Sequence, residues 1–397
     1  MSSENKQIIY LSYDGLTDPL GQSQILPYVI GLSSKGYNFT VVTFEKSLAY
    51  TKQKKEIEIL CQQNGITWVP LRYHKNPPVL STLYDLLVLW NKVSKIFRYN
   101  KIAILHCRSY ITSIVGLAAK RKWNVKFIFD MRGFWADERV EGGLWNLKNP
   151  MFRLIYRYFK NKEKLFLTDA DHVISLTHSA KREIESWGLR TAPIEVIPTC
   201  VDLELFNLEN IKDEDQNNLR VQLGIKKDDF VLLYLGSWGT WYLTEEMLKF
   251  FSELKRQKQN AKFLIVSGDT IGLENYAKKN VVVVVSAPRH LVPLYISLAT
   301  ASVFFIKTSF SKKASSATKM AEIMAMNVPV VTNSDWGDIN KFSNEVIVLQ
   351  NTSDEQLKDG VLRLLLEKKV TSNSFKEDLS LPFGIQLYNQ VYQSIAH

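Results

Sequence analysis

Short apolar blocks recur along this chain, each bounded by polar or turn-forming residues and followed by a stretch with helical spacing. Residues 7–13 read as a first strand, and further strands are predicted at 41–44, 66–72, 102–107, 125–130, 172–176 and 195–197. A second series is predicted at 230–235, 262–266, 281–285, 301–306, 328–332 and 345–349. Helices fall between the strands, among them 318–326 and 357–366. Such alternation predicts mainly parallel sheets covered on both faces. The polar stretch 207–218 reads as a linker between the two series. A last segment, 384–396, has helical spacing at Ile385, Tyr388, Val391, Tyr392 and Ile395. The expected fold class is α/β, in two doubly wound domains, 1–202 and 203–383, with no internal repeat.

The stretch from Ser309 to Asp338 carries the clearest chemistry. A polar loop rich in Ser and Lys leads into the predicted helix 318–326, whose Met320, Ile323 and Met324 sit at core spacing. Asn327 is placed to end it in a left-handed conformation. Ser315 or Ser316 is expected to cap the start, where the first backbone N–H groups lack partners and suit a phosphate. Thr318 opens the helix, and Lys312, Lys313 and Lys319 add positive charge. Glu322 follows about 5–9 Å along the axis, where a carboxylate can accept hydrogen bonds from a sugar diol. The plain alternative is an exposed Lys319–Glu322 pair three residues apart.

Other loops fall at strand ends. Gly15 and Gly21 follow the first strand without forming G-x-G-x-x-G, and Glu45 lies near the end of the second. Asp130-Met-Arg-Gly-Phe-Trp-Ala-Asp-Glu138 follows another strand and offers Asp130, Arg132, Asp137 and Glu138 as catalytic candidates. Phe134 and Trp135 there could stack on a sugar, and His106 ends a strand. Gly236 and Ser237 open the loop after residues 230–235, whose N–H groups could reach a phosphate. The pairs Asp169/Asp171 and Asp213/Asp215 are literal D-x-D sequences, but neither they nor the six His have the context of a metal site, so no metal is expected.

Composition narrows the setting. Three Cys with no pairing or metal spacing suggest a reducing compartment. The first seven residues are no signal peptide, and no apolar run approaches membrane-spanning length. The net charge is +10, and all of the excess lies in residues 1–202, with 28 Lys and Arg against 18 Asp and Glu; residues 203–397 carry 22 of each. One basic domain facing an anionic membrane, a phosphorylated acceptor or nucleic acid would account for this, as would a plain solubilising surface.

Ser315-Ser-Ala-Thr-Lys-Met-Ala-Glu322-Ile-Met-Ala-Met-Asn327-Val-Pro-Val-Val resembles the C-terminal donor-site signature of the retaining GT-B glycosyltransferases of the family-4 type, roughly S-x-P-x-K-x-x-E-x-x-A-x-G-x-P-V-V. Val196-Ile-Pro-Thr-Cys-Val-Asp-Leu-Glu-Leu-Phe206 resembles the family's I-P-N-G-V-D-x-x-x-F, and the resemblance extends over nearly the whole chain. It implies two Rossmann-like domains facing a central cleft, with the C-terminal helix (about 384–397) crossing back to the first. It implies a UDP- or GDP-linked sugar as donor, without further cofactor, held by Gly236, Ser237, Lys313, Ser315, Ser316, Thr318, Lys319 and Glu322, with Gly15 and Gly21 beside the sugar. The first domain would take a glycan or lipid-linked acceptor for cell-surface polysaccharide synthesis, on the cytoplasmic face of a membrane. Hexosyl transfer would proceed with retention, the donor phosphate itself taking the acceptor proton. The chain departs from the pattern at Ala317 and Asn327, at Ala314 in place of an earlier Glu, after Gly236 where the family has Arg and then Lys, so that the diphosphate cations would come from Lys312, Lys313, Lys319 or Arg289, and at Asp130, nearest a frequent His. A related sugar-nucleotide epimerase or phosphorylase, or a basic nucleic-acid-binding protein, are the alternatives; no nucleic-acid-binding module is recognisable.

Overall fold

The computed structural model describes residues 7–269, 271, 281–284, 286–366 and 375–395. Residues 1–6 of the polar leader, Val285 at the end of a predicted strand, and residues 396–397 of the predicted last helix lie outside these. The chain divides into two compact units: Met1–Pro198 together with Leu381–His397, and Thr199–Ser380.

Unit 1 is built on seven parallel strands: β1 (Gln7–Ser12), β2 (Asn38–Glu45), β3 (Thr67–Arg72), β4 (Ile104–Arg108), β5 (Lys126–Asp130), β6 (His172–Ser175) and β7 (Ile194–Val196). Their order is β3-β2-β1-β4-β5-β6-β7. The central strands are apolar almost without a break, as Ile8-Ile9, Ile104-Leu105 and Phe127-Ile128-Phe129, because helices cover both faces. The order reverses between β1 and β4, which pair from Ile8↔Ile104 onward. Loops at such a reversal open a crevice at the C-terminal ends of the strands, where open α/β sheets hold ligands.

Unit 2 repeats the plan with β8 (Phe230–Leu235), β9 (Ala261–Val266), β10 (Val281–Val284), β11 (Ala301–Val303), β12 (Val330–Asn333) and β13 (Ile347–Leu349). The order is β10-β9-β8-β11-β12-β13, reversing between β8 and β11. Here β11 is shorter than the apolar run 301–306. Phe304, Phe305 and Ile306 stay buried but leave the ladder, and the Asn333 side chain takes over both backbone groups of Ile306 at 2.7 and 2.9 Å. The supposed linker 207–218 also differs: it holds a 3-10 turn, Leu208–Asn210, and the start of a helix, Asp213–Gln222. Asp213, Glu214 and Asp215 fill that helix's first turn, where carboxylates favour the N-terminal end of the dipole.

The last helix, Leu381–Ile395, starts three residues before the predicted 384 and packs on the Leu26–Ser33 helix of unit 1. Gly31 is needed there, because a Cβ would run into Ile385. Tyr388 and Tyr392 face inward, edge-on to Tyr28 and Tyr37 at 5.3 Å each.

Candidate active site

In unit 2 the donor-helix candidate runs Thr318–Ala325, and Asn327 follows at φ +58, the left-handed stop that the sequence suggested. Met320, Ile323 and Met324 are buried. The cap differs from expectation: the N-cap position is Ala317, and the Ser316 hydroxyl bonds Thr199 Oγ1 at 2.7 Å instead. Ser315 closes the preceding turn through its N–H to the Lys312 carbonyl, 3.1 Å. The N-cap residue therefore gives the helix no side-chain hydrogen bond, and the Met320 N–H bonds the Ala317 carbonyl at 3.0 Å.

Lys319 is buried among rings, its Nζ 3.6 Å from the Tyr242 centroid and 4.6 Å from that of Tyr234. Among the described residues no carboxylate pairs with it. Burial pushes its pKa down to about 7, although Glu322 pulls the other way. A Cβ at Gly236 would stand 2.5 Å from the Lys319 ammonium, and Gly236 has φ +121, so glycine is required on both counts. Glu322 is buried too, and it does not form the surface pair with Lys319: its Oε1 accepts from Arg289 Nη1 at 2.8 Å. Arg289 lies over the Phe206 ring, 5.2 Å from its centre. Lys312 is buried over Trp241 at 3.7 Å, and Lys313 stands 5.4 Å from the Phe310 ring. Two N–H groups that the sequence offered to a phosphate are engaged: Gly236 donates to Val266 O at 2.9 Å and Trp238 to Asp269 Oδ2 at 2.8 Å. The Ser237 carbonyl accepts from the Tyr234 hydroxyl.

In unit 1 a charged cluster sits at the C-terminal ends of β4 and β5. Asp130 is fully buried, and burial alone would raise its pKa; Arg132, His106 and Arg108 outweigh that and hold it below the usual carboxylate range. His106 is buried and its pKa is lowered by burial, so it is neutral near pH 7. An ionised carboxylate only accepts. His106 Nε2–H therefore points at Asp130 Oδ2, 3.4 Å away, and Nδ1 accepts from the Tyr392 hydroxyl at 2.8 Å. Tyr388 donates to the same Asp130 oxygen at 3.4 Å. Arg108 and Arg132 both donate to Gln24 Oε1, at 2.7 and 2.8 Å. Arg132 holds φ +58, an uncommon conformation for a side-chain-bearing residue.

The other unit 1 candidates make different contacts. Asp137 accepts from Tyr156 and Lys160, at 2.7 and 2.8 Å, and so ties its own helix to Pro150–Asp169. The Glu138 carboxylate lies near Gly133, 3.8 Å from where a Cβ would be. Phe134 is fully buried against Trp187, and Trp135 packs among Tyr110, Trp145 and Phe159, so neither offers a face to a sugar. Glu45 is a loop anchor rather than a ribose ligand: it accepts from Leu16 N, Thr17 N and the Thr17 and Thr43 hydroxyls. Gly15 makes room for that carboxylate, and Gly21 makes room for the Gly15 carbonyl. Of the D-x-D sequences, Asp171 binds Lys120 and the Phe127 N–H, and Asp169 binds Arg121. Among the described residues no group of three or more His, Cys, Asp or Glu is arranged to hold a metal ion.

A family model described as Glycosyltransferase Family 4 matches residues 28–205, and one described as Glycosyl transferases group 1 matches residues 215–378. The chain belongs to the family-4-type GT-B glycosyltransferases. This glycosyltransferase is similar in fold to a sucrose-phosphate synthase of Thermosynechococcus elongatus, at TM-score 0.70 and 14% identity over 98% of this chain and 99% of that one. It is also similar to Anabaena HepE in complex with UDP-glucose, at 0.67 and 14%, over 98% and 99%. A putative UDP-N-acetylglucosamine 2-epimerase of Listeria monocytogenes shares the fold at 0.60 and 12%, over 98% and 95%. At such identities the likeness is one of fold alone, and the family models carry the assignment to glycosyl transfer. No curated sequence matches the glycosyltransferase. Its sequence disclosed Lys319 and Glu322, and offered Arg289 as a cation for the diphosphate rather than as the partner of Glu322; the contacts of Gln24, Arg108, Tyr388 and Tyr392 join positions far apart in sequence.

Proposed function

We propose that the protein transfers a hexosyl group from a UDP- or GDP-linked sugar, bound by unit 2, to a glycan or lipid-linked acceptor bound by unit 1. Transfer retains the anomeric configuration, needs no metal or other cofactor, and serves cell-surface polysaccharide synthesis at the cytoplasmic face of a membrane. The observation that carries this reading is Lys319. A buried cation held near its neutral point, beside a helix N-terminus and under a glycine that leaves it space, suits an arriving diphosphate. Negative charge there would restore its proton, and the fixed ammonium would then oppose the charge that grows on the leaving diphosphate. Removing one such donor costs on the order of 2.7–4 kcal/mol of barrier. Glu322, steadied by Arg289, has acceptor capacity left for a ribose diol. The departing phosphate oxygen is placed by this reading to take the acceptor proton, and the neutral, sealed His106 is not asked to.

A panel of UDP- and GDP-sugars with candidate acceptors tests the reading. Release of nucleoside diphosphate coupled to a new glycosidic bond of unchanged anomeric configuration is expected. Conversion of a sugar nucleotide into its epimer, with no diphosphate released, would replace it with the epimerase alternative.

A further inference from the structure

Two helices of unit 1 present apolar side chains that none of the described residues covers. On Leu80–Tyr99, Leu80, Leu83, Tyr84 and Leu87 form one stripe, with Leu80 and Leu87 64% and 63% exposed. On Pro150–Asp169, Met151, Leu154 and Tyr158 form another, with Leu154 70% exposed. The Ser109–Trp123 helix packs against both, so all three share one face of the sheet. Each striped helix has 20 residues, a length of about 30 Å. Each ends just before a strand begins, β4 at Ile104 and β6 at His172. Both therefore start at the opposite edge, the C-terminal ends of the strands, and both apolar stripes lie in the starting turns. On the first helix, Asp85 fixes this edge from the buried side, accepting from Tyr13 at 2.8 Å and meeting His74 at 2.6 Å.

Charge on these helices has one sign. The three carry eleven Lys and Arg against three carboxylates. Asp85 and Glu163 are fully buried, and Asp169 is paired with Arg121 at 2.9 Å. Apart from Arg121, Lys120 and Lys160, which have carboxylate partners, eight cations stand without one among the described residues. On the first helix Lys95 and Arg98 continue the exposed stripe beyond Leu87. Apolar turns leading into basic turns match the layers of an anionic bilayer surface, acyl boundary and then headgroups. Of the aromatic residues among these cations, Phe97 stacks on Trp123 at 4.4 Å and Phe159 and Phe166 are buried, whereas Tyr99 and Tyr158 are exposed.

We infer that the starting turns of the Leu80–Tyr99 and Pro150–Asp169 helices insert into an anionic lipid bilayer, with the basic residues behind them on the headgroups. This deepens the acceptor reading of unit 1, on which it rests for its purpose: the edge that would receive a lipid-linked acceptor lies at the membrane surface.

Sedimentation with vesicles of phosphatidylcholine alone, and of phosphatidylcholine mixed with phosphatidylglycerol, tests this on the full chain. Wild type pellets with the mixed vesicles and is only partly released by salt. Leu83→Ser/Leu87→Ser lowers that binding by on the order of tenfold or more, since two exposed leucines lose their apolar contact. Lys95→Glu/Arg98→Glu also lowers it. Both variants keep wild-type thermal unfolding and wild-type transfer to a soluble acceptor without vesicles. Equal binding to both vesicle types, or an unchanged leucine variant, overturns the inference. So does a wild-type dimer that the leucine substitutions make monomeric, which assigns the face to a second copy. Transfer without docking sinks this inference and the membrane setting but leaves glycosyl transfer from a nucleotide sugar standing, whereas docking without transfer from any nucleotide sugar sinks the proposed function and leaves this inference standing.

Discussion

Lys319 titrates where few lysines do, at about 7, and this makes nucleotide binding dependent on pH. Its pKa is depressed by burial, and a bound diphosphate raises it, so binding takes up a proton near and above neutrality. UDP affinity should be greatest below pH 7 and fall by about tenfold per pH unit above it, until the pKa of the bound form is reached. Titration calorimetry in buffers of different ionisation enthalpy reads the proton directly, and Lys319→Met should abolish both the uptake and the slope. The free protein should behave oppositely: between about 7 and the usual 10.5 the unfolded chain binds the proton that the native one lacks, so stability rises with pH through this window. Glu322→Ala should reduce turnover to background with every donor that wild type uses. Its fold should survive, because Arg289 is about one-fifth exposed and can turn to water; an unchanged unfolding midpoint beside retained activity would remove Glu322 from the site. Both residues were legible because they lie three positions apart on one helix behind a recognisable loop. Arg289 was legible as a candidate cation for the diphosphate but not as the partner of Glu322, which it reaches across 33 residues where no local pattern marks such a pair.

The elements themselves were legible where burial is continuous. The strands through Ile104 and Phe127 came out within a residue or two, because unbroken apolar runs in an alternating chain have few other uses. Their ends were less so, for a ladder stops where pairing stops, as β11 does at Val303 inside a longer buried run. The Asp213–Gln222 helix was hidden by its composition, being polar almost throughout with only Leu219 buried. The closing helix was visible from its spacing, but not what it covers. Tyr392 gives His106 Nδ1 its donor, at 2.8 Å in a fully buried place. Tyr392→Phe keeps the ring and removes that donor, so it should cost about 1–3 kcal/mol in urea unfolding of unit 1. A variant as stable as wild type would mean that His106 finds another partner.

For the whole molecule, the same charge economy predicts indifference to divalent metal. Transfer should proceed at the wild-type rate in EDTA, and magnesium or manganese should change it by less than about twofold, with Lys319 and the dipole of its helix acting on the diphosphate instead. A rate that collapses in EDTA and returns with metal would require ligands that the described residues do not assemble. The two-unit plan could be expected from the repeated alternation of strands and helices, while the uneven charge pointed to unit 1 without indicating which surfaces bear it. That assignment depends on which side chains each helix turns outward.

Residues 381–395 belong to unit 1 but are translated after all of Thr199–Ser380. At about 5–20 residues per second, a ribosome takes roughly ten to forty seconds over the intervening unit. Throughout that interval the nascent chain holds every strand of the first sheet and neither Tyr388 nor Tyr392, so His106 and Asp130 lie open to water. The unit begun first is thus finished last. Messages cut short near their 3′ end yield a complete second unit behind a first one whose charged centre was never closed, and the apolar bed prepared for the missing helix is what a chaperone or protease meets.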